Sequence, residues 1–92
     1  MEKVRITVDG RVQGVGFRYT TKMLADQIGI TGTVKNQPDG TVMIEAVGES
    51  EEMAQFIEGV KGSPSPAGKV NDIKITDDPT IETRTTFDVV YS

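Results

Sequence analysis

Three glycines and two arginines fall within one short connection, Gly10-Arg11-Val12-Gln13-Gly14-Val15-Gly16-Phe17-Arg18. The alternation ahead of it (Val4, Ile6, Val8) reads as a strand, and the spacing behind it (Phe17, Leu24, Ala25, Ile28) reads as a helix. A glycine-rich turn from strand to helix leaves backbone N–H groups free to converge on one point. The helix N-terminus adds partial positive charge at that point. Arg18, in the first helical turn, can bring a planar fork of donors over the same spot. Such a combination cradles an anion, phosphate above all. The same residues also make an ordinary strand–helix turn with a solvated arginine, as most glycine-rich turns do.

Composition narrows the chemistry. A chain of 92 residues suits a single domain, spanning 1–92, with a modest core. It contains no cysteine, so a disulfide framework, a thiolate nucleophile and a zinc–thiolate site are excluded. It also contains no histidine, which removes the commonest general base and the commonest transition-metal ligand. The formal charge is −4 and the lysines and arginines are scattered, which disfavours nucleic acid and anionic membrane as partners. No basic-then-apolar leader precedes the first strand, and no apolar run could span a bilayer. A cytoplasmic, soluble monomer is expected.

The elements that must position the glycine loop can be read in order. Val4, Ile6 and Val8 share one strand face and Arg5 and Thr7 the other, as in a sheet covered on one side only. The first helix runs from Phe17 to Ile28 and ends at Gly29. Ile30 to Asn36 and Thr41 to Val47 are strands joined by the turn Gln37-Pro38-Asp39-Gly40, with Ile30, Val34, Val42, Ile44 and Ala46 inward. Ser50 is expected to cap the second helix, whose stripe Met53, Phe56, Ile57 and Val60 reads as core. After the stiff loop Gly62 to Gly68 comes a fourth strand, Val70 to Thr76, with Ile73 and Ile75 inward. Thr80 to Thr86 is ambiguous, and Phe87, Val89 and Tyr91 alternate in a last strand. Strand, helix, strand, strand, helix, strand is an α+β, ferredoxin-like split βαβ sandwich. Two helices cover one face of a mostly antiparallel sheet, with an added C-terminal strand.

That fold hosts many functions, so the site must decide. A Walker A loop needs Lys-Ser/Thr after its glycines, and Phe17-Arg18 supplies neither. The dinucleotide fingerprint fails at Tyr19, where its last glycine belongs. An RNA-binding sheet needs exposed aromatics on its central strands, where this chain has Arg5, Thr7, Met43 and Glu45.

Val8-x-Gly10-x-Val12-Gln13-Gly14-Val15-x-Phe17-Arg18 resembles the signature of the acylphosphatases, and Gly32-x-Val34-Lys35-Asn36-x-x-Asp39-Gly40-x-Val42 resembles their second signature. The resemblance runs the length of the chain. It departs at Thr33, where many members carry a large aromatic, and at Pro64 to Gly68, which reads as looser than the usual loop. The resemblance implies hydrolysis of acyl phosphates to carboxylate and inorganic phosphate, without metal or cofactor. It implies a cradle of the Gln13, Gly14, Val15, Gly16, Phe17 and Arg18 amides, Arg18 as the phosphate-binding side chain and Asn36 as the residue that positions water. Read from the residues alone, Asn36 is first a turn residue ahead of Gln37-Pro38, and Arg18 divides evenly between site and surface. Arg11 reads as solvent-facing. The reading from another class is a non-catalytic anion-binding or regulatory ferredoxin-like module, which would use the cradle without Asn36.

Overall fold

The computed structural model describes residues 1–91. Five strands and two helices follow one another as β1 (Glu2–Arg11), α1 (Phe17–Ile28), β2 (Thr31–Asn36), β3 (Val42–Gly48), α2 (Ser50–Lys61), β4 (Lys69–Asp77) and β5 (Phe87–Val90). They form one sheet in the order β4-β1-β3-β2-β5. β1 lies antiparallel to both β3 and β4, β2 lies antiparallel to β3, and β5 runs parallel to β2 at the far edge. This is the ferredoxin-like α+β sandwich with a fifth strand added.

The register follows from the alternation in the sequence. Val4 pairs with Ala46, Ile6 with Ile44 and Val8 with Val42, so six apolar side chains stand on the same face of the sheet. All are buried, together with Val34, beneath the helices. α1 buries Phe17, Thr21 and Ala25, while Leu24 and Ile28 are half-buried at its margin. It ends at Gly29, whose N–H and that of Ile30 both donate to the Ala25 carbonyl at 2.8 and 2.9 Å. α2 buries Met53, Phe56 and Val60, and Phe56 meets Phe87 of β5 edge-on with ring centroids 5.9 Å apart.

Three expectations are corrected. Ser50 is the first helical residue and not the cap. Glu49 takes that place in extended backbone, its carbonyl accepting the Met53 N–H at 2.8 Å and no side chain capping the end. Ile75 keeps 41% of its surface exposed although it faces the same way as Ile6. β4 is an edge strand beside β1 alone, and α2 overlaps it only slightly, so Ile73 reaches the core margin and Ile75 does not. Tyr91 lies beyond β5 and is exposed, and the ambiguous stretch before β5 is no strand but inserts Ile81 into the interior.

These differences set the cost of truncation. Phe56→Ala is expected to lower the unfolding free energy by about 3–5 kcal/mol, because a ring packed on all sides leaves a cavity. Ile75→Ala is expected to cost less than about 1 kcal/mol, since little of its surface leaves water on folding. Denaturant midpoints at unchanged slope measure both.

Candidate active site

Past Val8, β1 parts from β3 but stays paired with β4 as far as Arg11, across a bulge between Asp9 and Gly10 where that register shifts. Val12 is then buried as an anchor, and the chain turns across residues 13–16 to enter α1. Gly14 and Gly16 have φ of 74° and 77°, with Val15 between them on the ordinary side. A Cβ at either glycine would meet no atom within 4 Å, so the left-handed backbone, not a lack of room, requires glycine. Backbone that alternates hand in this way turns successive N–H groups toward a common concavity. Gly16 is also the N-cap of α1 and no side chain caps it. Among the described residues, nothing accepts a hydrogen bond from the N–H groups of residues 14–18. Their donor capacity faces outward at the positive end of a helix.

A cavity of ≈ 150 Å³ opens there, lined by Gly14, Gly16, Phe17, Arg18 and Asn36, with Val12, Tyr19, Val89 and Tyr91 completing the wall. This is smaller than the usual drug-sized ligand pocket and suits a group the size of phosphate. Arg18 comes from the start of α1 and Asn36 from the end of β2, opposite Val42. Their meeting follows from the sheet order, which sets the ends of β1, β2 and β5 and the start of β3 side by side. The Arg18 Nη1 donates to the Val90 carbonyl at 3.4 Å, and its guanidinium carbon lies 4.7 Å from the centre of the Tyr91 ring. Both partners are neutral, and no Asp or Glu among the described residues pairs with Arg18. Its full charge is available to an anion.

The Asn36 side chain plays no part in the turn that follows it. Gly40 N–H donates to the Gln37 carbonyl and Gln37 N–H to the Thr41 carbonyl, while Asp39 accepts from the Thr41 hydroxyl at 2.6 Å and from its N–H at 3.0 Å. The carboxamide oxygen of Asn36 is buried without a partner. The Thr41 hydroxyl, and after it the Thr41 N–H, holds the Asp39 carboxyl below the usual carboxylate range.

Of the expected cradle residues, two contribute side chains elsewhere. Gln13 turns from the cavity and its Nε2 donates to the carbonyls of Gln37 and Thr41, both at 2.9 Å, fastening the loop to the β2–β3 hairpin. Val15 packs on the margin of the core. Tyr91 reads in the sequence only as part of the alternating last strand, and nothing local marks its contact or that of the Val90 carbonyl with Arg18, more than 70 residues away. Pro64 to Gly68 also departs from expectation. The stretch is not loose, because Ser65 is buried and its hydroxyl donates to the Val15 carbonyl at 2.6 Å.

A ferredoxin-like sandwich with an uncapped glycine nest at a helix start, an uncommitted arginine and a carboxamide in one small cavity defines a phosphate-handling domain. Comparison with known proteins narrows the class. The acylphosphatase family model matches residues 4–89. An acylphosphatase of Enterococcus faecalis is 53% identical over 90 residues, covering 98% of this chain and 99% of that protein. The crystal structure of acylphosphatase from Bacillus subtilis superposes with a TM-score of 0.93 at 47% identity, covering 99% of this chain and all of that one. An acylphosphatase from Coxiella burnetii gives a TM-score of 0.89 at 29% identity, covering 97% of this chain and 92% of that one. The chain belongs to the acylphosphatase family and is a hydrolase of acyl phosphates.

Two measurements test how the site is framed. Gln13→Ala is expected to cost about 1–2 kcal/mol in thermal unfolding, the scale of a lost half-buried pair of hydrogen bonds. The loss stays modest because the Gln37 and Thr41 carbonyls each keep a backbone donor. Asp39 tests the hairpin tip. A carboxyl whose folded value is depressed stabilises the fold above its unfolded value, and that contribution is lost as pH falls through the folded one. Asp39→Asn is therefore expected to lower the melting temperature at neutral pH, with the difference from wild type closing below about pH 4.

Proposed function

We propose that residues 1–92 act as one monomeric, cytoplasmic domain that holds the phosphoryl group of an acyl phosphate in the nest of residues 13–18 and under Arg18, with Asn36 orienting the attacking water. The observation that carries this reading is the convergence of Arg18 and Asn36 with Gly14 and Gly16 on one phosphate-sized cavity. The absence of histidine and cysteine is no obstacle. In an acyl phosphate the leaving group is a carboxylate, already stable as an anion, so no general acid is required. What the site must supply is neutralisation of the phosphoryl oxygens and a water held in line, which is positioning and electrostatics.

The roles divide by chemistry. Arg18 offers parallel donors to two phosphoryl oxygens and opposes no carboxylate of its own. Asn36 cannot serve as a base near neutral pH, so its carboxamide can only orient water. The water oxygen attacks phosphorus, the bond from phosphorus to the acyl oxygen breaks, and its electron pair leaves with the carboxylate. The water proton passes to a phosphoryl oxygen of the substrate. No step needs a metal; Asp39 closes the hairpin turn, and Glu51 and Glu52 stand in the first turn of α2. A non-catalytic anion-binding module would use the nest and have no use for Asn36.

Kinetics with benzoyl phosphate in excess chelator separates these roles, and full activity under chelation is expected. Arg18→Ala should weaken phosphate binding and lower turnover together, and Arg18→Lys should not rescue, because a point charge cannot reproduce a bidentate fork. Asn36→Ala should leave phosphate affinity nearly intact while kcat falls about 10²-fold or more. A folded Asn36→Ala with wild-type kcat would refute the water-positioning role, and activity lost to chelator and restored by magnesium would refute the metal-free mechanism.

A further inference from the structure

The nest poses a problem that its glycines do not solve. In a trans peptide the C=O and N–H point in opposite directions, so an N–H is aimed by deciding where the carbonyl of the preceding residue goes. Turning the Val15–Gly16 peptide over changes ψ of Val15 and φ of Gly16, and glycine at 16 accepts either hand, so the loop sequence does not itself forbid the turned-over form. One orientation offers the Gly16 N–H to an anion in the cavity. The other offers the Val15 carbonyl oxygen, which repels it.

The neighbouring peptide is held locally. The Gly16 carbonyl accepts both the N–H of Thr20 at 3.1 Å and its hydroxyl at 2.9 Å, as the first bond of α1. The Val15 carbonyl lies outside that helical pattern. Its partner is the Ser65 hydroxyl, 50 residues away in the α2–β4 loop, at 2.6 Å. Ser65 is only 3% exposed, and its own carbonyl is gripped by the Ser63 hydroxyl at 2.9 Å and the Gly68 N–H at 3.0 Å. The hydroxyl has one proton, and it is given to Val15. Gly16 lines the cavity and Ser65 does not.

From this geometry we infer that Ser65 is a positioning residue for the hydrolysis: by holding the Val15 carbonyl away from the cavity, it locks the Gly16 N–H onto the phosphoryl group. The inference rests on the cradle reading above. Ser65 touches no reacting atom. It removes an alternative peptide orientation that would place a lone pair where negative charge gathers, so the donor is in place before substrate arrives.

Titration of ¹⁵N-labelled protein with inorganic phosphate tests it, alongside steady-state kinetics. In wild type the Gly16 amide should move strongly on phosphate binding. In Ser65→Ala that movement should be largely lost, phosphate affinity should fall about tenfold, the scale of one charge-assisted hydrogen bond, and kcat should fall further. Ser65→Cys keeps the shape with a weaker donor and should fall between the two, and it replaces the alanine variant if that one does not fold. A folded variant whose Gly16 response and phosphate affinity match wild type overturns the role of Ser65, even if its melting temperature drops. A wild-type Gly16 amide indifferent to phosphate overturns the cradle reading itself, and this inference with it.

Discussion

A backbone N–H can be aimed only by fixing the peptide plane that carries it, and the site depends on that constraint. In the proposed cradle the donors are chiefly main-chain N–H groups between β1 and α1, where Gly14 and Gly16 permit the required conformation without enforcing it. Enforcement comes from groups around the loop. Thr20 draws the Gly16 carbonyl into the helix, Ser65 holds the Val15 carbonyl from the α2–β4 loop, and Gln13 ties the turn to the β2–β3 hairpin. The strand order makes this possible. β4 begins beside the end of β1, and β3 begins beside both β1 and the end of β2, so these loops meet at one end of the sheet.

Electrostatics at that end is local and not a property of the whole molecule. The chain carries a formal charge of −4, yet the cavity combines a helix N-terminus, outward amides and an arginine. A cation at a helix start opposes the macrodipole, and Arg18 is retained there on a carbonyl and an aromatic ring, neither of which neutralises it. By contrast, Arg5 on the open face of the sheet is engaged by both Glu45 and Asp78, at 2.8 and 2.9 Å. The two arginines differ in surroundings that their local sequences do not distinguish.

Much of the fold was legible because its determinants are local and periodic. The alternation of Val4, Ile6 and Val8 and the stripe of Met53, Phe56 and Val60 record which faces are buried, and Gly29 marks where α1 must stop. Ile75 misled because alternation assigns a face but not the extent of the helix above it. Ser50 misled because the backbone carbonyl of Glu49 began the helix one residue earlier.

For the site, local chemistry along the chain supplies the pieces: a glycine pattern that adopts left-handed backbone, an arginine in the first turn of a helix, and an asparagine at the end of a strand. Those properties reside in single residues and their immediate neighbours. Packing of distant segments is what brings Arg18 and Asn36 to one cavity, sets Tyr91 and Val90 against the arginine, and joins the Pro64 to Gly68 loop to the Val15 carbonyl through Ser65. Each of these contacts joins segments from different strands or loops. Their geometry is set by the order of strands in the sheet, so no local pattern in the chain records them.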